Sequence, residues 1–374
     1  MNDDFKILII ASHSGKGFVH IDKLLPGLVK LGYNITFYGW DRNKEFPKCF
    51  HKNGIEYKMI FTGWGFTNNW LVLALPLYFI KAFLELSKLR KGQFQAIMAI
   101  DFDSALPQSL ASIFNKIPFI YNVRDNFSMR TTLPKSLKPI ITRLDKIIMH
   151  KAKNIIVPDE NRITSFNDNE KEKIHVIYNG AIEVFPLNQV SHNLPFTIYA
   201  MGYLMKTRGI SLLLEAGNCL PDIRVLLAGV AHEIDLIARI KELPNIDYRG
   251  WLQPEDALRL CFESDIIFTF YDPISEINRK AASNKWFDAM MSRKPILVNE
   301  EVERSSWIIA HDIGYCCPYG NVEKLVQTIQ HVRSNPKEAE QKGINGRKLY
   351  EKGYSWESSL EQIDKVIKNV ILNL

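Results

Sequence analysis

Several features that would mark a special class of protein are missing from this sequence of 374 residues. Its five cysteines are scattered and form no CxxC pair, so neither a disulfide framework nor a zinc site is predicted, and a reducing cytoplasm is expected. The longest apolar run, WLVLALPLYFI at 70–80, is shorter than the ~20 residues of a membrane-spanning helix. No repeat or low-complexity tract occurs, and 46% hydrophobic with 24% charged residues is an ordinary globular composition.

Positive charge is concentrated in the first half of the chain. Residues 1–185 carry 25 Lys and Arg against 17 Asp and Glu, whereas the remaining residues carry 22 against 24. Within the first half, residues 81–153 alone hold 13 basic and 5 acidic side chains. Such a face suits an anionic membrane surface or a phosphate-bearing partner, and the alternative is a set of solvated surface helices. No nucleic-acid partner is expected.

Short apolar strands alternate with helical patterns along the whole chain. The opening MNDDFKILIIA has acids where a secretory signal needs positive charge, so we expect a first strand there. Helical periodicity over 17–32 follows it, and the alternation restarts after the irregular stretch 181–195. In the first half, strands are predicted at five places: 5–11, 34–40, 96–100, 118–123 and 154–158.

This alternation predicts an α/β protein with two doubly wound, Rossmann-like domains that face one another across a cleft. We expect a first domain at 1–188, a second at 189–352, and a C-terminal helix at 353–374 that crosses back to the first domain. Ligands of such sheets bind beyond the carboxyl ends of the strands. In the first domain these positions hold the following residues: His13, Gly15, Gly17, Asp101, Asp103, Arg124 and Asp125.

The acids of DFD at 101–103 form a pair that a metal ion could use. Capping of the following helix is the favoured alternative, so no metal site is predicted. His13 is a candidate for substrate contact, and a loop histidine with its own internal partners is the alternative.

Four motifs in the second half occur in an order typical of one enzyme family: IYNGAIEVF, MGYLMKTRGISLLLEA, NKWFDAMMSRKPILV and YSWESSLEQIDKVI. In their order and spacing they resemble the GT-B-fold retaining glycosyltransferases of family 4, also called group 1. The resemblance covers nearly the whole chain. It implies a GT-B fold, a nucleotide-sugar donor such as a UDP- or GDP-sugar bound by the second domain, and no required cofactor or metal.

A sugar nucleotide presents a diphosphate, which cationic side chains and the free N–H groups of a helix N-terminus bind well. The stretch SEINRKAASNKWFDAMM and the motif KTRG supply both, and Arg suits forked phosphate contacts. Together with the resemblance they give this predicted donor site: Gly202, Lys206, Arg208, Glu276, Lys280, Ser283, Asn284, Lys285 and Asp288.

The sequence departs from the family pattern within that site. Tyr203 stands where the family has an arginine that contacts the diphosphate, and Lys280 stands where it has the first of two glutamates. Asp288 takes the place of the second glutamate and is expected to bind the ribose hydroxyls. Glu276 is a candidate to replace the lost glutamate at the donor sugar.

Asp125, in YNVRDNF, is the predicted catalytic residue, by resemblance to an aspartate at a strand end in related enzymes. It would orient or deprotonate the acceptor hydroxyl, or stabilise charge on the sugar; helix capping is the alternative. His13, Gly15, Gly17 and Arg124 are assigned to the acceptor side.

We therefore predict a hexosyltransferase, retaining in mechanism, that builds cell-surface polysaccharide from a nucleotide-sugar and a glycan or polyprenyl-linked acceptor. It is expected in the cytoplasm, peripheral on an anionic inner membrane face. The alternatives are a nucleotide-sugar epimerase of the same fold and an inactive relative that only binds a partner.

Overall fold

The computed structural model describes these parts of the chain: residues 5–14, 18–62, 71–124, 127, 135–165, 171–185 and 195–372. The chain forms two compact units. The first consists of Met1–Tyr178 with Leu360–Leu374, and the second of Asn179–Ser359. Each unit contains one sheet in which parallel strands predominate, with helices between the strands, so the predicted fold class of two Rossmann-like bodies is confirmed.

The first unit is built on an eight-stranded sheet of order β3-β4-β2-β1-β5-β6-β7-β8, antiparallel only between β3 and β4. Its strands are β1 Lys6–Ala11, β2 Asn34–Asp41, β3 Cys49–Lys52, β4 Ile55–Phe61, β5 Ala96–Ile100, β6 Phe119–Asn122, β7 Asn154–Val157 and β8 Ile174–Val176. The α-helices that precede β8 are α1 Val19–Lys30, α2 Leu71–Ser87, α3 Asp101–Asn115 and α4 Lys138–Lys151. The five strand predictions made for this half are confirmed.

The second unit has a parallel six-stranded sheet of order β11-β10-β9-β12-β13-β14. Its strands are β9 Thr197–Leu204, β10 Arg224–Ala231, β11 Ile246–Tyr248, β12 Ile266–Thr269, β13 Ile296–Asn299 and β14 Gly314–Cys317. The helices are α5 Ile210–Cys219, α6 Ile234–Glu242, α7 Pro254–Arg259, α8 Glu276–Arg279, α9 Asn284–Met291, α10 Ser305–Ala310, α11 Val322–Ser334 and α12 Pro336–Leu349.

The central strands of both sheets have buried segments because helices cover both faces. Ile7 through Ala11 in β1 and Val225 through Leu227 in β10 have no exposed surface. Near-continuous aliphatic runs rather than alternating patterns therefore encode these strands, which is why their positions are readable from the sequence.

Residues 71–80 of the apolar run form the first part of helix α2, and this part packs one face into the core of the first unit. Ala74 and Tyr78 are buried, and the Tyr78 ring stacks on Trp40 with 4.6 Å between ring centroids. Ile80, on the other side of the helix, is exposed. Within the described ranges, no helix has the length and apolarity needed to cross a membrane.

The last helix, α13 Trp356–Leu372, begins in the second unit, where the Trp356 N–H donates to the carbonyl of Ala181. From Leu360 onward its residues belong to the first unit. The Tyr33 hydroxyl donates to Asp364 Oδ1 at 2.6 Å, and the leucine side chain at 360 fills the space beside Gly27. These contacts attach the end of the chain to helix α1 and its following turn.

The five cysteines differ in their exposure to solvent. Cys261 and Cys317 are buried and Cys316 is half-buried, while Cys49 and Cys219 are exposed. Burial raises the pKa of the Cys317 thiol to about 12, and that of Cys261 well above its ordinary value. Because neutral thiols are poor nucleophiles, we expect low reactivity from Cys261 and Cys317.

Candidate functional site

A pocket opens at the carboxyl ends of strands β9 and β12 in the second unit, where a doubly wound sheet is expected to bind its ligand. Its volume is about 90 Å³, well below the ~300–1,000 Å³ that encloses a drug-sized ligand, so it suits one part of a larger molecule. The lining residues are Ala200, Met201, Tyr203, Arg208, Ile210, Phe268, Thr269, Phe270, Tyr271 and Lys285.

Helix α9 begins beside this pocket, and its first backbone N–H groups donate no hydrogen bond to the side chain of the capping residue. Ser283 occupies the capping position, but its hydroxyl makes no capping bond and instead accepts a 2.6 Å hydrogen bond from the Tyr271 hydroxyl. Buried Trp286 attaches the helix to strand β12, because its indole Nε1 donates to Thr269 Oγ1 at 3.1 Å. A fixed helix N-terminus with uncapped amides favours an anion.

Two half-buried cations line the same pocket, Arg208 and Lys285. The Arg208 guanidinium lies over the Tyr271 ring at 4.4 Å from its centroid. Lys285 Nζ lies against Gly202, only 3.2 Å from where a Cβ at that position would be. In the part of the chain that the structure describes, neither cation forms an ion pair with an Asp or Glu. Their positive charge is therefore available to a ligand.

Gly202 is required at its position for two reasons. Its φ of +98° is a backbone conformation that favours glycine, and a side chain there would press on Lys285. On the neighbouring strand, a Cβ at Gly229 would lie 1.8 Å from the Gly202 carbonyl oxygen. Gly229 thus allows the ends of β9 and β10 to lie close together, and Gly202 leaves space for the Lys285 side chain at the pocket.

Lys206 lies in the same 3-10 turn as Arg208 but is engaged differently. Its ammonium pairs with Asp235, and the hydrogen bond that it donates to that carboxylate raises the pKa of Lys206. Its backbone N–H donates to Glu233 Oε2 at 2.7 Å. Of the two cations predicted in KTRG, Arg208 is therefore the one placed for a ligand, while a donor contact by Lys206 stays a prediction.

Lys280, which stands in place of the family's first glutamate, pairs with Glu276, the candidate to replace that glutamate. The Lys280 ammonium lies 3.1 Å from Glu276 Oε1, across one turn of the short helix α8. Neither side chain lines the pocket. The two charges neutralise each other. The predicted roles of Glu276 at the donor sugar and of Lys280 at the diphosphate stay predictions.

The remaining predicted donor residues lie on α9. Asn284 accepts a 2.8 Å hydrogen bond from the side-chain amide of Asn179, the buried asparagine of the YNG motif, so two of the recognised motifs meet here. Asp288 is half-buried in the second turn of α9. Burial is the main cause of the raised pKa of Cys261, and the negative charge of Asp288 raises that pKa further. A role for Asp288 at the ribose stays a prediction.

At the carboxyl edge of the first sheet, acids are held by internal hydrogen bonds. Asp103 Oδ2 accepts from the Ser12 hydroxyl at 2.6 Å, and Asp101 Oδ1 accepts from the Arg124 backbone N–H at 2.7 Å. Both acids lie in the first turn of α3, but these bonds join strand ends and do not cap the helix, which differs from the capping expected from the sequence. Among the described residues, no group of three or more His, Cys, Asp or Glu has the arrangement of a metal site.

The acceptor-side predictions are only partly covered by the structure. The His13 ring stacks on Phe18 with 4.2 Å between centroids, and its carbonyl accepts the Trp40 N–H at 3.1 Å. His13 thus has internal partners, as the alternative reading of a loop histidine expected. Asp125, Gly15 and Gly17 lie outside the described residues.

Sequence reasoning missed the residues that hold the pocket in shape, above all Tyr271. Its backbone N–H donates to buried Asn299 Oδ1 at 2.8 Å, and Asn299 Nδ2 donates back to the Tyr271 carbonyl at 3.1 Å. Asn299 also donates to Glu301, whose carboxylate accepts the Tyr319 N–H. The available signal was position: Tyr271 and Asn299 follow or end adjacent strands, where site residues are expected.

Comparison with solved structures identifies the fold. The sucrose-phosphate synthase of Thermosynechococcus elongatus superposes with a TM-score of 0.77 at 14% identity, over 99% of this chain and 100% of that one. Anabaena HepE in complex with UDP gives 0.71 at 15% identity, over 98% and 100% of the two chains. A glycosyltransferase from Rickettsia africae gives 0.72 at 16% identity, over 100% of both. The fold is GT-B.

Within this GT-B chain, residues 208–365 match a family model described as glycosyl transferase-like. The matched segment begins at Arg208 and includes α9, so it contains most of the pocket described above. No curated protein matches the sequence.

Proposed function

We propose that this protein is a glycosyltransferase that takes a hexosyl group from a nucleotide diphosphate sugar. The observation that carries the proposal is the pairing of two cations that lack a carboxylate partner in the described structure, Arg208 and Lys285, with the uncapped N-terminus of α9. A diphosphate offers the negative charge and the acceptor oxygens that such a site binds.

Support for a nucleotide as ligand comes from both the match and the neighbours. The glycosyl transferase-like match covers the segment that supplies Arg208 and Lys285. Solved structures of the GT-B neighbour HepE hold UDP, UDP with glucose, and UDP-glucose. We propose a UDP-sugar as the first donor to test and a GDP-sugar as the second.

The acceptor belongs to the same proposal. We infer a glycan or polyprenyl-linked acceptor of cell-surface polysaccharide synthesis, reached by a cytoplasmic protein that is peripheral on the inner membrane face. Retention of configuration follows the resemblance to family 4. In that chemistry the leaving diphosphate, held by Arg208 and Lys285, can help to accept the acceptor proton, and Asp125 would orient the acceptor hydroxyl.

The test is a thermal-shift screen of UDP, GDP and their sugars against the full chain, followed by an assay of donor hydrolysis. A nucleotide at ~100 times its dissociation constant adds about 2.7 kcal/mol to the free energy of unfolding, so a rise in melting temperature is expected with one nucleotide series. Release of free sugar from the stabilising donor supports a transferase. No shift with any nucleoside diphosphate would contradict the proposal.

The same screen separates the two alternatives. An epimerase would convert the donor into an isomer with a different sugar, and the amounts of free sugar and of nucleotide-bound sugar would stay unchanged. A binding-only relative would show a thermal shift but no sugar release. The Glu276–Lys280 pair, in place of the usual glutamate pattern, makes this second outcome worth testing directly.

A further inference from the structure

The amino edge of the first sheet carries an unusual surface. Helices α2, α3 and α4 all run toward this edge, with α3 packed against both neighbours. Near their carboxyl ends they expose large apolar side chains, each with between 44% and 63% of its surface open to solvent. We call these residues the amino-edge patch: Ile80, Leu84, Leu110, Ile113, Phe114 and Ile147.

Direct contacts join the three helices at this patch. The rings of Phe83 and Phe114 meet edge to face with 6.0 Å between centroids, which links α2 to α3. The Lys151 ammonium donates to the Ser109 carbonyl at 3.0 Å, which links the end of α4 to α3. The exposed side chains therefore sit on one packed layer rather than on separate loops.

Basic residues follow each of these helices where the chain turns back into the sheet. We call them the basic rim: Lys88, Arg90, Lys91, Lys116, Lys151 and Lys153. They come from three consecutive connections, α2 to β5, α3 to β6 and α4 to β7, which topology brings to the same edge. The rim borders the amino-edge patch because each connection begins where its helix ends.

Burial of the acids makes this surface more positive than the sequence indicates. Of the acids between 81 and 153 in the described residues, Asp101, Asp103 and Asp145 are buried. Asp145 accepts from the Tyr121 hydroxyl at 2.7 Å, and the other two are held as described above. Glu85 is the exposed exception, and it pairs with Lys88 at 2.8 Å. The positive charge of the segment therefore faces solvent with little compensation.

We propose that the amino-edge patch and the basic rim together dock the protein on an anionic lipid bilayer. The apolar side chains would enter the boundary between headgroups and acyl chains, and the rim cations would contact lipid phosphates. Charge complementarity selects this occupant, because exposed apolar side chains beside exposed cations match an anionic bilayer surface. The inference specifies the peripheral location given under the proposed function, but it does not depend on the donor site.

This surface differs from the one expected from sequence. The run at 70–80 buries Ala74 and Tyr78 in the core, so only part of it is available. Most of the exposed apolar area comes from α3, whose Leu110, Ile113 and Phe114 were not singled out by the composition or by the charge pattern.

The test is flotation of the full chain with vesicles of phosphatidylglycerol in phosphatidylcholine and with vesicles of phosphatidylcholine alone. At low salt we expect binding to the anionic vesicles only. Ile113→Ser with Phe114→Ser, and separately Lys116→Glu with Lys153→Glu, should each lower the partition coefficient by about tenfold or more. Matched controls are Ile140→Ser on the opposite end of α4 and Ile274→Ser in the second unit, both exposed and expected to bind as wild type.

Several outcomes would overturn the proposal. These are absence of flotation at low salt, equal binding to neutral vesicles, or an equal loss with Ile140→Ser. Tight binding of duplex DNA that survives Ile113→Ser with Phe114→Ser, without flotation, would assign the rim to another polyanion. Melting temperature and UDP stabilisation of each variant show that folding and the donor site are intact. A chain that binds UDP but not vesicles refutes only this inference, and the reverse result refutes only the donor site.

Discussion

The carboxyl edges of the two sheets occupy equivalent places in two similar units, yet they present opposite chemistry. In the first unit, Asp101 and Asp103 are buried and bonded to Arg124 and Ser12. In the second unit, Arg208 and Lys285 line an open pocket at an uncapped helix N-terminus. The two described acids of the first edge are held by internal hydrogen bonds, whereas the second edge presents two cations that have no carboxylate partner in the described structure.

The proposed anion site and the excess of positive charge lie in different halves of the chain. The first half carries the excess of Lys and Arg, whereas the proposed site lies in the second half, where acids slightly outnumber bases. What distinguishes the second edge is the pairing state of a few cations. Lys206 and Arg208 lie two positions apart, and only Lys206 has a carboxylate partner in the described structure.

The largest expected effect concerns the division of labour between the two units. Asp125→Asn removes a group that can accept a proton, so transfer should fall by about 10²–10⁴-fold. Nucleotide affinity should stay unchanged, because donor binding is assigned to the second unit. Initial rates of transfer and titration of UDP measure the two effects. A fully active variant would leave Asp125 a structural role only.

The next effect tests the contrast between paired and unpaired cations. Arg208→Ala or Lys285→Ala should each weaken UDP binding by about 1.5–3 kcal/mol, the range of a charge-assisted contact. Lys206→Ala is the matched control, and its affinity should resemble wild type because Asp235 already engages that ammonium. Isothermal titration measures all three. An equal loss in the control would mean that pairing state does not decide which cation binds.

A smaller effect is expected at Tyr271, which positions Arg208 without carrying charge. Tyr271→Ala removes the ring beneath the guanidinium and should weaken UDP binding by about 0.5–2 kcal/mol. Tyr271→Phe keeps the ring and loses only the hydrogen bond to Ser283, so most of the affinity should remain. If the Phe variant binds as poorly as the Ala variant, the hydroxyl and not the ring orients the site.

The smallest effect separates the donor site from the basic rim. Arg208 and Lys285 are half-buried and would touch a phosphate directly, so moderate salt should lower UDP affinity by only about threefold. Vesicle binding through the exposed rim should fall by about tenfold over the same change, since exposed charges are screened more strongly. Parallel titrations at low and moderate sodium chloride compare the two. Equal salt sensitivity would argue against this distinction.

The sequence predicted five strands of the first sheet because buried parallel strands are encoded by local aliphatic runs, as AIMAI at 96–100 illustrates. It did not predict β3, β4 and β8, which lack such a run of buried residues. It also located α9, because Trp286 and Phe287 mark the buried face of that helix and Lys294-Pro295 ends the turn after it. Motif order was enough to indicate GT-B.

The pairing of the site residues was not predictable, because it depends on tertiary distance. Asp235 lies 29 positions after Lys206 and approaches it only when β10 packs beside β9. The same holds for Tyr271, which reaches Ser283 and Arg208 through the fold rather than through any local motif. In the run at 70–80, composition alone could not tell the buried Tyr78 from the exposed Ile80.

The central claim is that the pocket of the second unit holds a nucleotide diphosphate, and a crystal structure with UDP tests it most directly. The account predicts phosphate oxygens at about 2.7–3.2 Å from the Arg208 guanidinium, from Lys285 Nζ and from backbone N–H groups in the first turn of α9. A bound UDP whose phosphates lie elsewhere, with Arg208 still stacked on Tyr271 and making no contact to the ligand, would contradict it.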